Sequence, residues 1–272
     1  MSLFNNVPHS ADDRIKAMLA FLSEHYPQYT GIRYKFESYH GFFTAYDTAE
    51  KRDISIKTYS IYYASDIALF TDDSLFYDIA GLPERNLCRL IDRNFNKNDC
   101  FLIMTYKEGK TLDDFLHFDT FRAGKPAYII RILFGILNGL KLLHNKNIFY
   151  GDLTPWNIII DSDGEAWLCD FSESDYNGSK FSDKTMTIDK HYSPEKKTGQ
   201  PIDYRSDIYE FGVILSDFLP FFKDDYTRTG LSEIAEKAMK RDPYDRYDSV
   251  EEITEAIVML TRADNLFGKP DA

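Results

Sequence analysis

Cysteine is scarce in this chain, basic residues are outnumbered, and no apolar run is clean enough to read as a membrane span. Each shortage removes a class of protein. Only three of the 272 residues are cysteine, Cys88, Cys100 and Cys169. They are too few and too irregularly spaced for a disulfide framework or a zinc site, and by the compartment rule they read as reduced thiols of a cytoplasmic chain. Lysine and arginine total 32 against 44 acidic residues, a net charge of −12. Non-specific nucleic-acid binding and docking on anionic membranes need the opposite balance, so neither is expected. The most apolar stretch, Ala127 to Leu143, is interrupted by Arg131, Asn138 and Lys141, which reads as a buried helix and not a membrane span. A basic, then apolar, then small-residue leader pattern is missing from the first residues.

What the chain has in quantity is apolar and aromatic material. Hydrophobic residues make up 43% of it, with 21 Phe and 19 Tyr, enough to bury a large core. A first helix is predicted over Ala11 to His25, with Ser10 as N-cap, Asp13 three residues on, and Ile15, Met18, Leu19 and Leu22 at the helical period. Such a helix is expected to pack on the body of the protein. Arg33–Glu37, Phe42–Tyr46 and Ile54–Tyr59 read as antiparallel strands, followed by a helix from Thr71 to Ala80 and strands at Leu87–Asp92 and Phe101–Tyr106. After Gly109 and Lys110 the pattern is mostly helical: Leu112–Phe118, Ala127–Asn145, Ser206–Leu219, Leu231–Lys240 and Val250–Thr261. A strand-rich third with one helix followed by a helical two-thirds predicts an α+β chain in two lobes with a crevice between them. The acidic surplus sits mainly in the later part and points to cationic partners.

The chemistry concentrates in Tyr150-Gly-Asp152-Leu-Thr-Pro-Trp-Asn157, a proline-containing loop with a carboxylate and a carboxamide five residues apart. Thirteen residues on, the apolar run Trp167-Leu-Cys ends in a second carboxylate, Asp170. Asn157 and Asp170 are hard oxygen donors of the kind that hold Mg²⁺ against phosphates. Asp152 is then free to orient an attacking hydroxyl or accept its proton. A single Asp or Asn in a loop is ordinarily a turn former; three at this spacing ask for more.

In these residues the chain resembles the eukaryotic-type protein kinases. The loop matches H-R-D-L-x-x-x-N at Asp152, Leu153 and Asn157, and Asp170-Phe-Ser172 matches D-F-G at its first two positions. Ser193-Pro-Glu195 resembles A-P-E, Asp207-Ile-Tyr-Glu-Phe-Gly212 resembles the helix that braces the catalytic loop, and Arg246 stands where the family pairs an arginine with the A-P-E glutamate. Ile54-Ser-Ile-Lys57 resembles V-A-I-K, which implies that Lys57 grips ATP phosphates. The resemblance implies a bilobal fold, a small antiparallel sheet lobe with one helix at 34–106 and a larger helical lobe at 107–261, after an extension at 1–33 with its amphipathic helix and before a tail at 262–272. It implies catalytic roles for Asp152 and Lys57. ATP contacts are implied at Lys57, Gly41, Met104 (the gatekeeper), Thr105, Lys107, Asn157 and Asp170, with Mg²⁺ on Asn157 and Asp170. The implied partner is a protein serine/threonine substrate, a basic one given the acidic surplus.

Departures from the pattern keep other readings open. Ser38, His40 and Phe43 hold the three glycine positions of the phosphate loop, with Gly41 one place out of register. No helix glutamate stands out as a partner for Lys57; Asp72 and Asp73 are the nearest acids. Tyr150 and Gly151 replace H-R, Thr154 replaces the usual lysine, Ser172 replaces the D-F-G glycine, and Thr187 is one place off the substrate-docking threonine. Ser174, Ser179, Ser182, Thr185 and Thr187 are modifiable hydroxyls of a short polar segment, though the lost arginine argues against activation by phosphorylation there. Besides protein phosphorylation, a pseudokinase that binds or scaffolds and a phosphotransferase acting on a small molecule stay open.

Overall fold

The computed structural model describes residues 11–37, 41–59, 72–95, 100–118, 125–171, 174–176 and 190–263. Ser10, Ser38, His40, Thr71, Ser172, Ser179, Ser182, Thr185 and Thr187 lie outside the described residues. The chain divides into two compact units, residues 1–83 with 88–107, and 84–87 with 108–272.

The first unit is built on a five-stranded antiparallel sheet of β1 (Tyr29–Glu37), β2 (Gly41–Asp47), β3 (Arg52–Tyr59), β4 (Leu90–Phe95) and β5 (Cys100–Thr105), in the order β1-β2-β3-β5-β4. The period-2 alternation decides its faces. Phe43 and Ala45, Ile54 and Ile56, and Phe101 and Ile103 point one way, and helix α1 (Ala11–His25) lays Met18 and Leu22 on them. The amphipathic helix is therefore packed on the body of its unit, as its period predicts. Lys57 belongs to the alternate set of β3, opposite Phe42 on β2 and Leu102 on β5. Helix α2 (Asp73–Ala80) is capped by Asp72, which accepts from Leu75 N at 3.0 Å, and it packs beside β4. The strand expected at Leu87–Asp92 begins three residues later. Asn86 and Leu87 belong to the second unit, where Leu87 bridges Leu168 and Leu168 N donates to Asn86 O at 2.9 Å.

The second unit opens with β6 (Lys110–Thr111) and α3 (Leu112–Phe118), then α4 (Pro126–His144). α4 is the one described helix long and apolar enough to cross a membrane. It is a core helix here: Ile129, Ile130, Ile132, Leu133, Ile136, Leu137, Leu140 and Leu143 are all buried. β7 (Ile148–Phe149) pairs with β10 (Asp175–Tyr176), while β8 (Ile158–Ile160) lies between β6 and β9 (Ala166–Leu168). Four helices complete it: α5 (Pro194–Lys197), α6 (Tyr204–Phe218), α7 (Asp225–Ala238) and α8 (Val250–Ala263). α7 starts six residues before the expected Leu231 because Asp224 caps it, accepting from Thr227 N at 2.7 Å. The caps win over the apolar period at such ends. The resulting architecture, an antiparallel sheet unit and a larger helical unit, is the expected α+β class.

Cys100, buried on β5, carries an unoxidised thiol, as expected of it.

Candidate functional site

The loop after β7 is suspended from α6 by its main chain. Asp207, buried on α6, accepts from Tyr150 N at 2.9 Å through Oδ2 and from Gly151 N at 2.8 Å through Oδ1. His144 at the end of α4 lies 2.8 Å from the same Oδ2. One turn on, Glu210 Oε2 accepts from Leu153 N at 2.9 Å. Three loop amides, at 150, 151 and 153, thus find carboxylates on one helix face, at positions three apart. The bracing role expected of Asp207 is present. Gly151 has φ +76°, a left-handed conformation that costs other residues about 1–2 kcal/mol, so the glycine standing in the family's arginine position matches its backbone.

Below that suspension the loop turns back through Thr154 N to Asp152 O at 2.9 Å and Asn157 N to Thr154 O at 3.0 Å, a 3-10 turn over Pro155–Asn157. The turn brings Asn157 Nδ2 to Asp152 Oδ2 at 2.6 Å and to Asp152 O at 3.1 Å. Cys169 N donates to Asn157 O at 2.9 Å, extending the β8–β9 pairing, so Asp170 emerges one residue beyond that bond with φ +63°. Asp152, Asn157 and Asp170 are therefore gathered at one end of the β8–β9 ladder. The Tyr150 hydroxyl, fully buried, donates to the carbonyl of Cys169, and its ring meets Phe171 edge-on at 5.8 Å. Burial first, then the neighbouring Asp170 and Asp152 carboxylates, hold the Tyr150 phenol well above its ordinary pKa, so it stays a donor.

α5 is short, four residues started by Pro194 and capped by Ser193. Its Glu195 receives both arms of Arg246, at 2.7 Å and 2.8 Å, and Ser206 Oγ at 2.7 Å. The expected glutamate–arginine pair is thus formed. Burial alone would raise the Glu195 carboxyl, but the hydrogen bonds from Arg246 and Ser206 together outweigh it and hold it below its ordinary pKa. The next residue, Lys196, is buried and reaches the loop itself, donating to Gly151 O and lying 3.3 Å from Asp152 Oδ1. Glu210 is pushed up to about 8, by burial first, with Lys196 pulling the other way; its Oε1 has no hydrogen-bond partner among the described residues.

Sequence reasoning alone missed Lys196 and Glu210. A signal exists for Glu210, an acid three residues from Asp207 inside the apolar stripe of Ile208, Phe211 and Ile214, where a charge needs a buried partner. Lys196 has none: beside Lys197 it reads as part of a solvated basic pair.

The remaining sequence candidates lie on the first unit. Lys57 stands on β3 as expected. Gly41 starts β2, and its amide is taken by Thr58 Oγ1 at 2.9 Å, with Thr58 donating back to Gly41 O at 3.2 Å. A Cβ at Gly41 would sit 3.0 Å from that hydroxyl, a tight fit. Met104 is buried on β5 opposite Ser55, and Thr105 N donates to Arg89 O at 2.9 Å. Tyr106 N donates to Asp53 O at 3.1 Å, and Lys107 follows in the loop before β6. Asp72 serves as the α2 cap and Asp73 pairs with Arg93, so both acids proposed for Lys57 have other work.

Asn157 commits its amide nitrogen to Asp152, which leaves its carbonyl oxygen as the donor that could join the Asp170 carboxylate on a cation. Two hard oxygens fit Mg²⁺, which keeps several waters and shares phosphate oxygens. Among the described residues no group of three or more His, Cys, Asp or Glu could hold a metal.

With this geometry in hand, comparison with known proteins is specific. A probable serine/threonine-protein kinase of Clostridium perfringens is 26% identical over 218 residues, 69% of this chain and 31% of the relative. The serine/threonine-protein kinase PrkC of Bacillus subtilis is 26% identical over 255 residues, 82% of this chain and 39% of the relative. The serine/threonine-protein kinase pakA of Talaromyces marneffei is 26% identical over 181 residues, 66% of this chain and 27% of the relative. The chain thus spans well under half the length of these curated relatives. The family model of the protein kinase domain matches residues 75–263, more than half of the chain, from α2 through the suspended loop to the last helix, and the chain belongs to the protein kinase family.

Proposed function

We propose that the chain transfers the γ-phosphoryl group of ATP to a serine or threonine hydroxyl of a protein, with Mg²⁺ as the metal. The observation that carries this reading is the contact of Asp152 with Asn157 at 2.6 Å, made on a loop whose main chain is fixed by α6 and beside which Asp170 emerges. A carboxylate so held can accept a hydrogen bond from an incoming hydroxyl and take its proton as the new O–P bond forms. Asn157 and Asp170 would hold Mg²⁺, which when bound neutralises phosphate charge. Lys57 would contribute a further positive charge to the phosphates. The acidic surplus of the chain favours a basic protein substrate, and ATP is the donor in the same reading. A second reading, a module that binds without efficient transfer, is favoured by Gly41, whose amide is spent on Thr58 instead of being open to a phosphate.

Transfer from labelled ATP with Mg²⁺ to a generic basic protein tests it, comparing the intact chain with Asp152→Ala and Lys57→Ala. Labelled serine or threonine with the intact chain and a loss of about 100-fold or more in each variant is expected. No transfer, together with no thermal shift on adding Mg·ATP, overturns the enzyme reading. Binding without transfer would favour the second reading.

A further inference from the structure

Lys196 brings a positive charge where none of the roles above asks for one. Its side chain is 3% exposed, and it sits 3.7 Å from the centroid of the Tyr192 ring. Burying an ammonium is costly unless charge and hydrogen bonds compensate it. Part of its compensation comes from the Gly151 carbonyl and from Asp152 Oδ1 at 3.3 Å, with the Glu210 carboxyl group acting at longer range.

The groups that hold the loop divide their work. Within the loop, Asp207 and Glu210 bond backbone amides, at 150, 151 and 153, and no loop side chain. They fix where the main chain runs and leave the Asp152 carboxylate free to rotate about its terminal torsion, which is intrinsically broad. Two side chains stop that rotation: Asn157 on Oδ2 and Lys196 on Oδ1. The Asp152 side chain is 17% exposed against 3% for Lys196. The ammonium therefore stands behind the carboxylate, on its buried side, and acts through it.

Resting on the phosphoryl-transfer reading of Asp152, we propose that Lys196 is a positioning residue of that reaction: it locks the Asp152 carboxylate in the orientation that receives the acceptor hydroxyl. Placement of a reacting group within a fraction of an ångström governs rate far more than substrate affinity, so the effect falls on kcat. The rival role for Lys196 is purely structural, easing the burial of Glu210 beneath the loop, and a double variant separates the two.

The experiment measures kcat, KM for ATP and the urea midpoint for the intact chain, Lys196→Met, Lys196→Arg and Lys196→Met with Glu210→Gln. Positioning predicts that kcat falls at least 10-fold in Lys196→Met with KM for ATP within twofold, and that Lys196→Arg recovers part of it. It also predicts that the double variant regains the urea midpoint without regaining kcat. Should Lys196→Met alone fail to fold, the double variant carries the comparison. Recovery of kcat in the double variant, or a kcat within twofold of the intact chain in a folded Lys196→Met, overturns the proposal while transfer by the intact chain still stands. An intact chain without transfer removes the underlying reading instead, and the proposal with it.

Discussion

Replacing Glu195 with glutamine removes a charge and keeps the shape, and the structure allows its cost to be worked out. The Arg246 side chain is 0% exposed, and both of its terminal nitrogens bond Glu195, at 2.7 Å and 2.8 Å. Its other hydrogen bonds go to carbonyls, Lys240 O at 2.8 Å, Arg205 O at 2.7 Å and Arg241 O at 3.3 Å, which satisfy its protons without neutralising it. Hydrogen bonds to charged groups are worth about 1.5–3 kcal/mol each, and leaving one member of a buried pair alone costs about 3–5 kcal/mol. Against a total stability of about 5–15 kcal/mol, Glu195→Gln should cost about 3 kcal/mol or more at neutral pH. Urea unfolding followed at several wavelengths reads this directly. In a double-mutant cycle with Arg246→Met, the pair together should cost less than the two singles added, by about 2 kcal/mol. The pH dependence has a definite sign. Because the folded Glu195 carboxyl titrates below its ordinary value of 4.5, its contribution is fully present above that value and fades as the pH falls through the folded one. The glutamine penalty should therefore shrink in acid. A penalty under about 1 kcal/mol at neutral pH, or one that grows on acidification, would refute the argument.

Two further outcomes follow from the loop. Glu210 is raised to about 8 from 4.5, so the folded state holds a proton that the unfolded state releases, and stability is lost as the pH climbs between those values. Glu210→Gln should gain up to a few kcal/mol relative to the intact chain near pH 8 and nothing below about pH 4, read from urea midpoints across that range. Gly151→Arg, which restores the family's residue, forces a side chain into φ +76° and should cost about 1–2 kcal/mol; a variant as stable as the intact chain by thermal melting would show that the left-handed turn is not required.

Much of this was legible before any coordinates, for reasons that differ by element. Period-2 alternation in Ile54-Ser-Ile-Lys57 places the isoleucines under α1 and Lys57 on the alternate set, because the strand pleat leaves no other choice. Asp152, Asn157 and Asp170 could be linked because a tight turn and a short antiparallel ladder keep near neighbours in sequence near in space. Lys196 could not, since 44 residues separate it from Asp152 and no local pattern records that distance. The opening of α7 was hidden because its first turn, Asp225-Tyr-Thr-Arg, carries little apolar signal and depends on the Asp224 cap. Gly41 carries a second signal that its sequence position hides: its amide and carbonyl are both bonded by the Thr58 hydroxyl of the neighbouring strand.

The suspension of the loop by its amides has a consequence for which sequences can occupy it. Asp207 and Glu210 grip N–H groups, which nineteen of the twenty amino acids supply alike. The scaffold is thus indifferent to chemistry at positions 150, 151 and 153 as far as those bonds are concerned, and forbids proline alone. That tolerance lets a tyrosine and a glycine stand where the family pattern has histidine and arginine while the aspartate that follows them stays where it must be.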